Sequence, residues 1–392
     1  MKWSLGLLAL CMLIPVAAAV RCGDTVNSSL TLTQHLTNCD KFGLILTDGA
    51  ALDCDGFAVR GRGIEDSYGI AVVGKNISVK NCEAYDFSVG LFAKDTRDLT
   101  VDHFVMVEKG FIGILLSGVN GATIENIKLR NLTNGIWMKQ SKDVSINNGN
   151  ISAGRGMFIE DSSLVAADGL SITDTVFALR VTRSDQVYLS GNSFVGSTTG
   201  ILIEDSSQLK LRTSRVVNCN LRTERSDNLA IERNDFLMGG LNIGRTNHST
   251  ITGNSIRNAR SFGIELNNAD DILVANNTVT GSASANILVG KSKSVAVTGN
   301  ALSQSKYGIF STAEGKAFIL RNAIMDNNIG IWLDSNATHG IAGNAFRNSK
   351  DLDGYQGKGL MLDNLLANGR PNPRLGVIFA LNRYLDPWLA YV

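Results

Sequence analysis

Apolar and polar positions alternate along the chain in short runs, and no stretch keeps a helical period. The runs recur. "GIAV" at 69–72, "GLFA" at 90–93, "GILL" at 113–116, "GIWM" at 135–138 and "GMFI" at 156–159 open successive units. "ALRV" (178), "GILI" (200), "LRTE" (221), "LNIG" (241), "GIEL" (263), "NILV" (286), "GIFS" (308) and "GIWL" (330) continue the series. The spacing is about 20 to 23 residues, a repeat period. Each opening is followed by a polar turn, an alternating pair such as "LAI" or "VAV", a small-residue turn ending in Asn, and a third short apolar segment. "SKSVAVTGNALSQSKYGIF" at 292–310 holds a whole unit. A unit this short has no room for a strand, a helix and a return, but it holds three short strands and three turns. Alternation gives each strand one face in and one face out. Stacked units then bury a continuous core. The pattern predicts an all-β chain folded as a single parallel β-helix of about thirteen regular coils.

The turn asparagines fit that arrangement. Asn192, Asn234, Asn254, Asn277, Asn300, Asn322 and Asn344 share one repeat position, with Ser214 filling the gap. In register, their amides bond one another and the turn backbone, which satisfies polar groups in a buried corner. Both ends of such a helix expose unpaired strands. Residues 20–60 are read as an N-terminal cap and first coil, 61–352 as the repeats, and 353–392 as a C-terminal cap. This last stretch drops the repeat and holds three of the four Pro.

Composition agrees with a turn-rich repeat. Of 392 residues, 40 are Gly and only 19% are charged. The net charge of +1 gives no electrostatic footprint for nucleic acid or an anionic membrane. Lys2, the apolar run 5–16 and the small residues up to Ala19 read as a signal peptide over 1–19. The run is too short for a membrane span, and no later segment is apolar enough for one. The mature protein is expected to be exported: secreted, periplasmic or at the cell surface. Export permits disulfides. Cys22 and Cys39 are placed to staple the first segment, Cys54 and Cys82 either pair or stack, and Cys219 is left as a buried thiol.

The pattern "GI-x-L … V-x-V-x-x-N" resembles the right-handed parallel β-helix repeats of the pectin-lyase-like superfamily. The segment "CGDTVNSSLTLTQHLTNC … GLILTDGAALDCDGFAVRG" at 22–61 resembles the opening segment of many exported bacterial and archaeal members. The resemblance covers roughly residues 22 to 352. It implies the right hand of the helix, and a saccharide groove along the first strand of each coil. It does not fix an activity, because the superfamily hosts lyases, hydrolases, epimerases, adhesins and accessory proteins. The aspartate and "GHG" signatures of its polygalacturonases are absent, as is the Asp-Pro-His-Asp signature of its bacterial mannuronan epimerases. A relative of this repeat family serves in periplasmic copper-site maturation, but no His, Met or Cys cluster here suggests that role. His35, His103, His248 and His339 fall in different coils without ligand spacing, so neither a metal nor another cofactor is expected.

Within "G-I-x-L-x" both x positions face outward. The first x is apolar or aromatic in many coils, where a solvated face is polar. From 156 to 265 charges interrupt it: Glu160, Arg180, Glu204, Arg222, Glu224 and Glu265, with Arg245 at a turn. Coils lie about 4.8 Å apart, so these residues form one patch. The reading is a polysaccharide-binding face. Trp137 and Phe158 would stack on sugar rings, with Glu160, Asn242, Arg245 and Glu265 as further substrate contacts. If the face is catalytic, Arg180 or Arg222 neutralises a uronate carboxylate for elimination or epimerisation. Glu204 and Glu224, about 5 Å apart, come next as a glycosidase pair. The contrasting reading is a non-catalytic surface or structural repeat protein, or an adhesin, whose apolar stripe meets another protein.

Overall fold

The structure, a computed structural model, describes residues 20–312, 314–334, 339–354, 359–362 and 364. The expected signal peptide and most of the expected C-terminal cap lie outside the described residues. Each strand pairs in parallel with the strand of the same rank in the next coil. Gly200–Glu204, Ser207–Arg212 and Arg215–Val217 pair with Leu221–Glu224, Ala230–Glu232 and Asp235–Leu237. The result is the parallel β-helix that the alternation predicts. Among the described residues there is no helix, hence none long and apolar enough to cross a membrane. Residues 24–39 already supply three strands, which pair with Phe42–Leu46, Ala51–Asp53 and Ala58–Gly61.

Alternation is what closes the core. Ile201, Ile203, Leu221, Ile264 and Leu266 point inward and are fully buried. One hydrophobic cluster runs unbroken from Val26 to Phe346. Polar corners are satisfied by ladders. The amide of Asn234 donates to Asn254, Asn254 to Asn277 and Asn277 to Asn300, each at 3.0 Å. The series continues through Asn322 and Asn344 and reaches Asn364 one step later. Ser214 fills its gap by accepting from the Asn192 backbone N–H through its hydroxyl and donating its own backbone N–H to Asn234 Oδ1. A second ladder lines the corner after the first strand. The backbone N–H of Ser141, Ser162, Ser184 and Ser206 each donates to the serine hydroxyl one coil on.

Coil length varies where it matters for the outer face. Register partners are Leu202 and Arg222, then Arg222 and Asn242, each 20 residues apart, but Asn242 and Glu265 are 23 apart. The short coils turn tightly: a Cβ on Gly239 would lie 1.8 Å from the Cys219 carbonyl oxygen. Arg260, on the longer turn that follows, reaches back across both short coils to the side-chain oxygen of Asn218.

Cys22 pairs with Cys39 and Cys54 with Cys82, while Cys219 is a buried free thiol. Cys54 and Cys82 are separated by 28 residues. Chain entropy gives such a crosslink about 3.5 kcal/mol. The double variant Cys54→Ser/Cys82→Ser is expected to lose stability on that order, read as a lower urea midpoint.

Candidate functional site

The register sets the outward residues of the first strand in one column. Trp137 pairs with Phe158, Phe158 with Arg180, Arg180 with Leu202, Leu202 with Arg222, and Arg222 with Asn242. Glu265, Leu288, Phe310 and Trp332 continue it. Two residues further along each strand runs a second column: Glu160, Thr182, Glu204, Glu224, Gly244 and Asn267. Arg245 follows Gly244 at the corner. All the residues singled out in the sequence therefore share one face.

Aromatic residues bound the charged stretch. Trp137 is half-buried, and its Nε1 donates to Glu160 Oε2 at 3.2 Å. Phe158 differs from the expectation of an exposed stacking ring, being only 6% exposed. Trp137 and Phe177 both pack against it edge to face at 6.3 Å, and the Arg155 guanidinium lies 5.7 Å from its centroid. Phe158 thus supports Trp137 and offers no free ring face. At the other end Phe310 and Trp332 stack in parallel at 4.5 Å, with Tyr307 at 5.1 Å from Phe310.

The arginines divide into engaged and open. Arg180 gives Nε and Nη2 to Glu204 Oε2 at 3.2 and 3.0 Å. Arg183 and Arg225 fork onto Asp161 and Asp205, and these bonds hold both aspartates below the usual carboxylate range. Arg183, Asp205, Arg225 and Arg245 adopt left-handed backbone (φ 47, 49, 49 and 46°) at successive coil corners. Glu224 is ringed by Arg222 at 3.8 Å, Arg225 at 3.7 Å and Arg245 at 3.2 Å. Glu204 and Glu224 are register neighbours, as the spacing predicts, but each faces arginine. Their carboxylates are thus turned to arginines of the protein, not left open toward a bond between them. Arg222 is placed differently. Among the described residues its guanidinium comes no closer than 3.8 Å to a carboxylate, that of Glu224; its side chain is 59% exposed, and its column neighbours, Leu202 and Asn242, are neutral.

Glu265 is held by amides rather than by a cation. Asn242 Nδ2 donates to its Oε2 at 2.9 Å and Asn267 Nδ2 to its Oε1 at 2.6 Å. Among the described residues no Lys, Arg or His lies within ion-pair distance of it, the nearest field being that of Arg222. Asn267 has room for this role because residue 290 is glycine; a Cβ there would lie 2.0 Å from Asn267 Oδ1. Burial pushes the Glu265 carboxyl above its usual range, outweighing the Asn267 bond and Arg222, which pull it down. A carboxyl raised in the folded state adds stability below its unfolded value of 4.5, and loses that contribution as pH rises through the folded value. Glu265→Gln is therefore expected to raise the thermal midpoint at pH 7 and to change it little below about pH 4. The Asn242–Glu265–Asn267 network was not legible as a unit in the sequence. Its only signals are an Asn two residues after the Glu and a Gly one coil later.

No curated protein matches the chain in sequence. Similar solved structures include the Azotobacter vinelandii mannuronan C-5 epimerase AlgE6 A-module, at 13% identity and TM-score 0.37, covering 89% of this chain and 91% of that one. Bacteriophage phi29 gene product 12 is similar at 8% identity and TM-score 0.45, covering 90% and 72%. PfbA, a surface adhesin of Streptococcus pneumoniae, is similar at 12% identity and TM-score 0.39, covering 84% and 86%. Likeness at this level says nothing of activity. The profile of the family described as periplasmic copper-binding protein (NosD) matches residues 45–163, 129–272 and 223–365.

Copper needs converging soft or imidazole donors, and the donors among the described residues do not converge. Met106, Met138 and Met157 are fully buried in the core. The Cys219 thiol donates to the Phe194 and Val217 carbonyls, and burial pushes its pKa up. His35 and His339 each accept a backbone N–H through Nδ1. His339 is buried, which takes its pKa down to about 4. Its Nε2 has no partner among the described residues, and among these no group of three or more His, Cys, Asp or Glu could hold a metal ion. His103 and His248 are exposed, on separate coils. The set does not fit a copper ion, and no chemistry is derived through one. The family's periplasmic location does agree with the two disulfides, and the protein is an exported one. Matched in three overlapping segments that run from residue 45 to 365, the chain belongs to the NosD family.

Proposed function

We propose that the first-strand face binds an acidic polysaccharide, with Arg222 anchoring a carboxylate and Trp137 and Trp332 stacking on sugar rings at its two ends. The observation that carries this is the open fork of Arg222 between two neutral neighbours, on a face where Arg180, Arg183 and Arg225 are bonded to carboxylates. An arginine fork matches a carboxylate in two parallel hydrogen bonds, and aromatic rings suit the apolar faces of sugars. Of the two candidates for neutralising a uronate, Arg222 fits and Arg180 does not, because Glu204 already holds Arg180. Ion pairing of Glu204 and Glu224 disfavours the hydrolase reading. The apolar stripe as a protein-docking surface is the competing class.

Affinity electrophoresis against polygalacturonate, polymannuronate, their carboxyl-reduced forms and neutral glucans tests the proposal. Retardation by the acidic chains alone is expected. Equal mobility in every gel overturns the reading and favours the docking surface.

A further inference from the structure

Glu265 stands two coils from Arg222 in the same column, with Asn242 between them. At about 4.8 Å per coil that is about 9.6 Å. A bonded guanidinium and carboxylate take about 4 Å, the bond to the next carbon about 1.5 Å, and a donor–acceptor contact to the hydrogen on that carbon about 3 Å. These lengths sum to about 8.5 Å, comparable with the two-coil spacing of the column, so one acidic sugar unit lying along the column at Arg222 reaches the coil of Glu265. The acid at the far end is held from both sides by amides, walled by Leu288 at 7% exposure, and not neutralised by any cation within ion-pair distance among the described residues.

We infer that Glu265 is the proton-transfer group of this face, taking the hydrogen from the carbon that bears the carboxylate of a uronate anchored at Arg222. The inference rests on the binding reading above. In the step the C–H bond breaks, the proton goes to a Glu265 oxygen, and the electron pair passes into the carboxylate as an enolate. Arg222 faces the charge that develops there. The carbon then takes back a proton, exchanged with water through Glu265 or delivered from the opposite face, and no other reactant is consumed. Glu265 suits the task where Glu204 and Glu224 do not. A base must be free to reach the hydrogen it takes; Arg180 occupies Glu204 and three arginines surround Glu224, whereas Glu265 is held only by neutral donors. Arg222 is the charged group that acts on it; Asn242, Asn267 and Leu288, the neighbours packed against it, are neutral.

The full chain is incubated in D2O with polygalacturonate or polymannuronate, and loss of the H5 proton signal is followed by NMR. Wild type is expected to exchange H5, with a rate that falls in acid as Glu265 gains its proton. Glu265→Gln is expected to lower the rate by about 100-fold or more. The same variant should bind the chain at least as tightly, since a negative charge has been removed. Binding by wild type without H5 exchange, or exchange undiminished in Glu265→Gln, overturns the inference and leaves the binding reading intact. Absence of binding by wild type overturns both.

Discussion

Replacing Asn277 with alanine is expected to destabilise the protein by on the order of 5 kcal/mol, more than any single exposed substitution on the groove face. Its side-chain oxygen accepts from both the backbone N–H and the amide of Asn254, at 2.9 and 3.0 Å. Its amide donates to the Ile251 carbonyl and to Asn300 Oδ1, at 2.8 and 3.0 Å. Alanine takes the side-chain partner from the Asn254 backbone N–H and the Ile251 carbonyl, and one of two bonds from the Asn254 amide and from Asn300 Oδ1, in a corner where Asn254, Asn277 and Asn300 are each 1% exposed. Each buried group without a partner costs about 1 to 3 kcal/mol. Coils contact only their neighbours, so the loss acts locally and propagates by weakening adjacent interfaces. Asn276, the preceding residue, is the control. It is exposed and takes a left-handed backbone at φ 56°. Asn276→Ala therefore carries only the left-handed penalty of about 1 kcal/mol. Urea unfolding followed by circular dichroism separates the two, and equal midpoints would remove the ladder from the account of stability.

Arg222→Ala is expected to weaken binding of an acidic polysaccharide by about 10- to 100-fold while leaving the unfolding midpoint in place. Hydrogen bonds to a charged partner contribute about 1.5 to 3 kcal/mol, and about 1.4 kcal/mol is one factor of ten. Stability is spared because the guanidinium is largely exposed and its nearest carboxylate, Glu224, keeps Arg225 and Arg245. Arg180→Ala should show the opposite balance. It strips Glu204 of its bonded cation and offers the ligand nothing it had before. Arg222→Lys should recover little affinity, since an ammonium has no planar fork. Fluorescence titration of the three variants checks the ordering. Equal losses for Arg180 and Arg222 would mean that the patch acts through its summed charge and not through one open fork.

The fold was written in the sequence more fully than the site was. Period and alternation are backbone properties, and they fixed which residues point outward. Trp137, Arg222 and Glu265 fall in one column as the repeat predicts. The asparagine ladder was legible because short side chains at one position in successive coils have one place to go. Long side chains do not. An arginine spans more than the distance between coils, so its repeat position does not say whether it turns to a neighbour or stays open. Hence Arg180 and Arg222 look alike in sequence, though one is bonded to Glu204 and the other is not. Phe158 was misjudged for a related reason. Alternation sends it outward, but Trp137, Phe177 and Arg155 close over it. The pairing of Cys54 with Cys82 depended on coil stacking that similar positions alone left open. Two coils shortened to 20 residues, already visible in the openings at 221 and 241, place a tight turn beside Arg222 and Asn242.

The central claim is that a single face of the helix recognises carboxylates through Arg222. Calorimetric titration of the wild-type chain with polygalacturonate, run beside its carboxyl-reduced counterpart of equal length, tests it most directly. Saturable binding of the acidic chain, with no heat from the reduced chain and none from either chain with Arg222→Ala at the same concentrations, is the predicted result. Equal binding of both chains by the wild type, or acidic binding unchanged by Arg222→Ala, would contradict it.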